Sequence, residues 1–265
     1  MNYTDPSGRK PDSAEVDHLF EGTQYGTAER VMGLSQAILN SAQQYNPPFA
    51  RLSVDNFAAI MVAVILNEQA NHLGMGRGGT FAINIWEMCQ WTWEFTDGLH
   101  GGNRWLEMTT GRESLSIGLV NFRVGTLREI QRGELPANEE EQRPTVLGGF
   151  DFGTKPLSNQ LPQGHPDLRV GETSLLFDDT FSVQLLAANH HRALLAMQIA
   201  GMSFESLEQT VKSVSAWGNV GIVTPKLIQD NPKARRYGEV TWSKFTRAQN
   251  IVALMHQSGG SSSSW

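Results

Sequence analysis

Apolar residues recur along the chain at the spacing of an α-helix, and segments rich in glycine and proline separate these stretches. Val31, Leu34 and Ile38 fall on one face of a helix that begins near Thr27. Residues 45–48 read Tyr-Asn-Pro-Pro, which ends that helix because proline cannot continue it. The pattern therefore predicts a first helix that follows a polar segment.

The run 57–66 gives the clearest helix prediction. It reads Phe-Ala-Ala-Ile-Met-Val-Ala-Val-Ile-Leu, which is apolar on every face and typical of a central, buried helix. Ser53 is expected to be its N-cap, and Asp55 places a negative charge in the first turn, where it suits the helix dipole. The sequence turns polar at Glu68 and reaches Gly74, the expected helix stop. One end of a buried helix should thus present the Glu68 carboxyl group.

Further helices are predicted in the second half of the chain, all but the last of them from a capping residue before a helical stretch. The predicted starts are Asp178–Asp179, before a helix over 181–200; Ser203; Thr224 and Asn231, each before a proline that opens a short helix; and Val240, from which a last helix runs to His256. Residues 133–173 lack periodicity and are predicted to form a long inserted loop.

Together these patterns predict a mainly α protein with one domain over 26–256. A small β-hairpin or short strand region is expected near 113–122. Residues 1–25 are interpreted as a flexible arm and residues 257–265 as a flexible Gly/Ser tail.

Composition and charge restrict the classes of function. The 265 residues include 21 Lys and Arg against 27 Asp and Glu, a net charge of −6, whereas nucleic-acid-binding modules usually carry a basic surplus. Cys89 is the only cysteine, which excludes an intramolecular disulfide and a cysteine-based zinc site. No membrane span is expected, since no stretch of about 18 apolar residues occurs. The N-terminus lacks the apolar segment of a signal peptide, so export is expected to need a carrier.

Glu68 is the first candidate for chemistry. A carboxyl group at the polar end of an apolar helix is partly shielded from water, which favours its protonated form. A general acid needs that form at neutral pH. The competing interpretation is an ordinary acidic residue at a helix end, and the spacing alone favours it.

Two later segments have the chemistry to bind a sugar. In 113–122, Gly118 allows close approach of the backbone, and Asn121 offers hydrogen-bond donors and an acceptor. In 215–221, Trp217 can stack on a pyranose ring at a helix end that opens into a glycine-rich turn. The alternatives are an ordinary hairpin for the first segment and core packing of Trp217 for the second.

Other polar patterns do not predict a metal site. His72 lies four residues after Glu68, but no second cluster of ligands accompanies the pair. His190 and His191 are adjacent, so they point to different faces of a helix, and one of them is expected at the edge of the core.

Taken in chain order, the helix end at Glu68 and the segments 113–122 and 215–221 resemble the lysozyme-like superfamily. The similarity is greatest to lytic transglycosylase and goose-type lysozyme domains. The family's Ser-x-Gly-Leu-Met-Gln-(Val/Ile) segment is similar to 116–122, Ser-Ile-Gly-Leu-Val-Asn-Phe. Its Phe-Asp-Pro-x-x-Asn-Ile-x-x-Ala-Ala-x-Tyr-Leu pattern is similar to 177–190, and its Ala-Tyr-Asn-x-Gly motif to 216–221. This chain departs from the family at Gln69, where serine is usual, and at Asn121, where glutamine is usual.

The resemblance implies a lysozyme-like fold and cleavage of β-1,4 bonds in peptidoglycan, by a muramidase or a lytic transglycosylase, without metal or cofactor. Glu68 would be the general acid that protonates the leaving oxygen as an oxocarbenium-like centre develops. Glu113 is the candidate second carboxylate. If no acid faces Glu68, Glu68 would carry out both proton transfers and give an anhydro product. The implied substrate-binding residues are Ser116, Gly118, Asn121, Trp217 and Asn219.

A second resemblance lies in residues 2–9, Asn-Tyr-Thr-Asp-Pro-Ser-Gly-Arg. They are similar to the segment that closes the core of Rhs/YD-repeat proteins, although Asp-Pro-Ser-Gly is also an ordinary turn sequence. This resemblance implies a toxin domain that an Rhs-type carrier delivers out of the producing cytoplasm. Peptidoglycan strands, that carrier and an immunity protein are then the expected partners. The sequence leaves open a non-catalytic glycan-binding domain on the same fold and a helical protein-interaction module.

Overall fold

The computed structural model describes residues 13–24, 26–70, 119, 120, 122, 124–132, 175, 176, 178–220 and 230–259. Over these residues the protein is mainly helical, which confirms the predicted fold class. The described helices are α1 (Ser13–Leu19), α2 (Thr27–Gly33), α3 (Ser35–Tyr45), α4 (Val54–Glu68), α5 (Val124–Arg132), α6 (Asp179–Ile199), α7 (Leu207–Val220) and α8 (Pro232–Gly259), with a 3-10 turn at Pro48–Ala50.

Within the same ranges, β-structure is limited to isolated bridges, one of which joins Thr23 to Ala70 in antiparallel fashion. The predicted hairpin near 113–122 is not confirmed, since only Leu119, Val120 and Phe122 of that segment are described. The inserted loop at 133–173 lies outside the described residues. No helix among the described residues is long and apolar enough to cross a membrane.

The chain divides into two compact units, one formed by 1–74 with 186–265 and the other by 75–185. The second unit contains α5 and the start of α6. There Asp178 caps α6, as predicted, because its Oδ1 accepts a hydrogen bond of 3.1 Å from the Phe181 amide. The predicted domain limits at residues 25 and 256 stay predictions.

Helix α4 forms the centre of the first unit. Every residue from Phe57 to Asn67 is buried, so the helix is enclosed on all sides, as its apolar sequence predicts. The predicted N-cap is also confirmed, since the Asn56 amide donates to Ser53 Oγ at 3.1 Å. The helix ends at Glu68, with Gln69 as its C-cap, and so stops before Gly74.

Helix α8 covers α4 and runs antiparallel to it. Near the start of α4, His256 Nε2 lies 2.9 Å from Asp55 Oδ1. Near the end of α4, Lys244 Nζ donates to the Leu66 carbonyl at 2.9 Å. Because α8 also packs on α1, α3 and α7, it joins the first and last parts of the sequence into one core.

Two helix starts differ from the predictions. The first predicted helix is broken at Leu34, because Gly33 is a poor helix former and Ser35 Oγ donates back to the Met32 carbonyl at 2.5 Å. The cap of α7 is Ser206, whose Oγ accepts from the Gln209 amide at 3.3 Å. Ser203 instead accepts from Glu205 in the preceding turn.

Residues 13–24, which lie within the segment interpreted from the sequence as an arm, pack within the first unit. Helix α1 contacts α8, and Phe20 is only 6% exposed. The Gln24 amide donates to the Gln69 carbonyl at 2.9 Å, and Arg247 Nη1 donates to the Glu21 carbonyl at 2.9 Å. The buried phenyl ring and these backbone contacts hold the segment directly beside the end of α4.

Helix α8 is one continuous helix of 28 residues, whereas the sequence predicts a short helix at Asn231 and a separate one from Val240. The predicted cap is correct, since Asn231 Oδ1 accepts from the Lys233 and Ala234 amides. Gly238, in the second turn of the helix, marks the crossing with α7.

Helices α7 and α8 approach each other closely at Gly238. A Cβ atom at this position would lie 2.5 Å from the Lys212 carbonyl oxygen. Lys212 Nζ also binds Glu208 at 2.6 Å and Glu239 at 2.8 Å, and these hydrogen bonds raise the pKa of Lys212. The crossing therefore requires a residue without a side chain at position 238, and ion pairs flank it.

We expect Gly238→Ala to lower the free energy of unfolding by roughly 1–3 kcal/mol, the usual cost of overpacking. Alanine is intrinsically the better helix former, so helix propensity alone predicts the opposite sign. The matched control is Gly33→Ala, because a Cβ atom at Gly33 meets nothing within 4 Å. Urea denaturation of both variants measures the difference. A Gly238→Ala variant as stable as the Gly33→Ala control would contradict the close backbone approach.

Candidate functional site

The structure describes three of the seven site residues that the sequence predicts. Glu68 and Trp217 are described with their side chains, and Asn219 as a backbone position in α7. The other four, Glu113, Ser116, Gly118 and Asn121, lie outside the described residues, and their assignments stay predictions.

Glu68 is the last residue of α4 and is half-buried. The Tyr237 hydroxyl, from the second turn of α8, donates a hydrogen bond to Glu68 Oε1. Asn67, immediately before Glu68, is almost fully buried. A buried helix therefore delivers a carboxyl group to its own end, where a tyrosine from a distant part of the sequence holds one carboxyl oxygen.

Tyr237 is a hydrogen-bond donor that stays neutral. Burial raises its pKa well above the ordinary value, and the charge of Glu68 and the hydrogen bond to Glu68 act in the same direction. A hydrogen bond to Asn67 opposes them. Because the phenol keeps its proton over the physiological range, it donates to Glu68 throughout that range.

Lys244 places a cation at the same end of α4. Its amino group donates to the Leu66 backbone carbonyl at 2.9 Å and to the side-chain Oδ1 of Asn67 at 3.3 Å. A cation at this position suits the negative end of the helix dipole. Burial lowers the pKa of Lys244 to about 8, with help from the charge of Arg247, while the charge of Glu68 opposes the shift. Lys244 is therefore mostly charged at neutral pH and loses its proton at mildly alkaline pH.

The sequence motifs do not include Tyr237 or Lys244. They lie seven residues apart and thus on one face of α8, which also carries the buried Thr241. The sequence signal that could have found them is the presence of polar residues at positions that fall on a buried face of the helix. That signal does not say which helix the face meets, and the partner, Glu68, lies 169 residues before Tyr237.

Trp217 is 2% exposed, and its Nε1 has no hydrogen-bond partner among the described residues. This burial agrees with the core-packing alternative for the ring. An aromatic platform for a sugar needs an exposed face, so the substrate-binding role of Trp217 stays a prediction without support from its burial.

The two adjacent histidines have different environments. His190 is fully buried, its ring meets Phe57 edge-to-face at 6.1 Å, and its Nε2 lies 3.9 Å from where a Cβ atom of Gly218 would be. Burial lowers the pKa of His190 to about 3, so the ring is neutral at physiological pH. His191 is half-buried, and its Nδ1 lies 2.7 Å from the Tyr45 carbonyl. Among the described residues, no three His, Cys, Asp or Glu side chains gather as a metal site would require.

Comparisons with protein-family profiles, with curated proteins and with solved structures find no match to this chain. The interpretation of the site thus rests on its residues and their geometry, together with the resemblance of the sequence motifs.

Proposed function

We propose that the protein is a glycan-cleaving enzyme that acts on the β-1,4 bonds of peptidoglycan, with Glu68 as its general acid. The observation that carries the proposal is the position of Glu68. The residue ends a helix that is buried on all sides, keeps part of its side chain exposed, and has one carboxyl oxygen held by Tyr237. A proton donor needs this combination of fixed orientation and access to substrate.

In the proposed reaction, Glu68 gives its proton to the glycosidic oxygen as the bond to the anomeric carbon breaks. Positive charge develops on the sugar ring, and the carboxylate left on Glu68 lies close enough to stabilise it. The Tyr237 hydroxyl then donates to a full negative charge and keeps the carboxylate in place.

The product depends on a second acidic group. With Glu113 as nucleophile or base, water completes a hydrolysis, and the enzyme is a muramidase. Without it, Glu68 takes back a proton from the substrate's own hydroxyl group, which closes an anhydro ring as in a lytic transglycosylase. We further propose that an Rhs-type carrier delivers the domain, on the basis of residues 2–9.

Incubation of the full chain with purified peptidoglycan tests the proposal. Mass spectrometry of the soluble fragments is expected to find muropeptides with either reducing or anhydro ends, which also identifies the reaction type. Absence of soluble fragments over hours, at enzyme concentrations that clear the substrate with a reference lysozyme, would contradict the proposal.

Tyr237→Phe is expected to lower kcat by about tenfold or more while KM changes little, because the lost hydrogen bond orients the acid rather than binding substrate. The matched control, Tyr45→Phe, removes the hydroxyl of a buried tyrosine in α3 and should retain kcat. Initial rates on soluble peptidoglycan fragments measure both constants. Equal rates for wild type and Tyr237→Phe would remove Tyr237 from the site.

A further inference from the structure

The first turns of α8 carry three exposed basic side chains, Lys233, Arg235 and Arg236, here named the basic strip. None of the three side chains forms an ion pair or a hydrogen bond with another described residue. By contrast, Lys212 and Lys244 in the same unit are held by carboxylate or carbonyl groups. The basic strip is thus available to a partner outside the chain.

The basic strip does not serve the stability of α8. The start of a helix is the positive end of its dipole, so cations placed there are unfavourable. Asn231 already caps this end, and Asp230 is the one acidic residue at this helix start, against three cations. The strip therefore concentrates positive charge on a chain whose net charge is −6.

Two members of the basic strip, Lys233 and Arg236, lie toward the Glu68 site. Lys233 precedes Tyr237 by four residues, and side chains at this spacing are neighbours on a helix, about 5–6 Å apart at Cβ. Tyr237 in turn donates its hydroxyl hydrogen to Glu68. Arg236 is the neighbour of Lys233 three residues on, whereas Arg235 points to the other side of the helix. A polymer seated at Glu68 would consequently reach Lys233 and Arg236.

We propose that the basic strip binds anionic groups, either carboxylates or phosphates, of the glycan polymer that Glu68 cleaves. The inference rests on the proposed function and specifies its substrate class. Arginine guanidinium groups pair with both kinds of anion in a two-pronged geometry, and Lys233 adds a point charge. A neutral β-1,4 glycan such as chitin lacks these partners and is the poorer ligand.

Binding without turnover tests the inference. The full chain carrying Glu68→Gln is sedimented with insoluble peptidoglycan sacculi and, in parallel, with insoluble chitin over a range of salt concentrations. Adding K233Q, R235Q and R236Q together is expected to weaken binding to sacculi by about tenfold or more and to reduce its dependence on salt. Circular dichroism checks that each variant is folded.

Single variants supply the matched control. Arg236→Gln is expected to weaken binding about two- to fivefold, the range of a single exposed charge. Arg51→Gln changes the net charge equally at another exposed site, between α3 and α4, and should leave binding unchanged. Sacculi stripped of phosphate polymers with hydrofluoric acid separate the two anions: retained binding assigns carboxylates, and lost binding assigns phosphates.

Equal binding by the triple variant and its parent would overturn the inference, as would equally tight binding to chitin or no binding of the parent to sacculi. These outcomes are separate from a failure of the proposed function. Strip-dependent binding to sacculi by a wild-type chain that releases no fragments would overturn the proposed cleavage and retain the basic strip as a binding surface.

Discussion

Glu68→Gln is expected to lower the rate of peptidoglycan cleavage by at least about a hundredfold, because the amide cannot give a proton to the glycosidic oxygen. Removing a general acid typically costs two to four orders of magnitude, which is far larger than the effect expected for Tyr237→Phe. The measurement is the release of muropeptides by wild type and variant under identical conditions.

The structure predicts that this variant folds. The amide oxygen of glutamine can still accept a hydrogen bond from Tyr237, and the half-buried position has room for an isosteric side chain. Its melting temperature should therefore match that of the wild type. Glu205→Gln makes the same chemical change at an exposed residue before α7 and should keep full activity. Cleavage by Glu68→Gln at the wild-type rate would refute the role of Glu68 as acid and favour a domain that binds glycan without cutting it.

The second large effect concerns His190 and the acid stability of the first unit. In the folded chain the pKa of His190 is lowered to about 3, whereas in the unfolded chain the imidazole titrates near 6.5. Between these two values the unfolded state binds more protons than the folded state, so stability falls as the pH falls. This contribution to stability is fully present above pH 6.5. Below pH 6.5 the folding equilibrium constant falls about tenfold per pH unit, down to pH 3.

His190→Leu should remove this part of the pH dependence. Denaturation midpoints of wild type and variant, measured from pH 7 to pH 4, are expected to diverge as the pH falls, with the variant the more stable at the acid end. At neutral pH the variant should be close to wild type, since leucine is apolar and the imidazole nitrogens have no hydrogen-bond partners among the described residues. His18→Leu, at an exposed residue, is the control that should follow the wild type. Parallel curves for wild type and His190→Leu would contradict the burial of a neutral ring.

Local signals in the sequence were sufficient for α4 and for several helix caps. The run at 57–66 is apolar on every face of a helix, so it predicted a helix that is buried on all sides. Ser53, Asp178 and Asn231 cap helices as predicted because a capping side chain bonds to its own neighbours, within three residues.

Long-range packing decides the features that local sequence patterns do not predict. Glycine is a poor helix former, so Gly238 by itself suggests a break in the helix. The carbonyl of Lys212 on α7 lies so close that only glycine fits at this position of a continuous α8. The same limit applies to the site. Glu68 could be predicted from the helix that carries it, whereas Tyr237 and Lys244 acquire their roles only when α8 packs antiparallel on α4.

The order of the site residues along the chain has a consequence for synthesis. Glu68 and the helix that carries it leave the ribosome early, but Tyr237 is added 169 residues later, which is roughly ten to thirty seconds at typical rates of translation. Until α8 emerges, α4 lacks its main cover and the carboxyl group lacks the hydroxyl that orients it. A nascent or truncated chain is therefore expected to lack the proposed activity until the last helix docks.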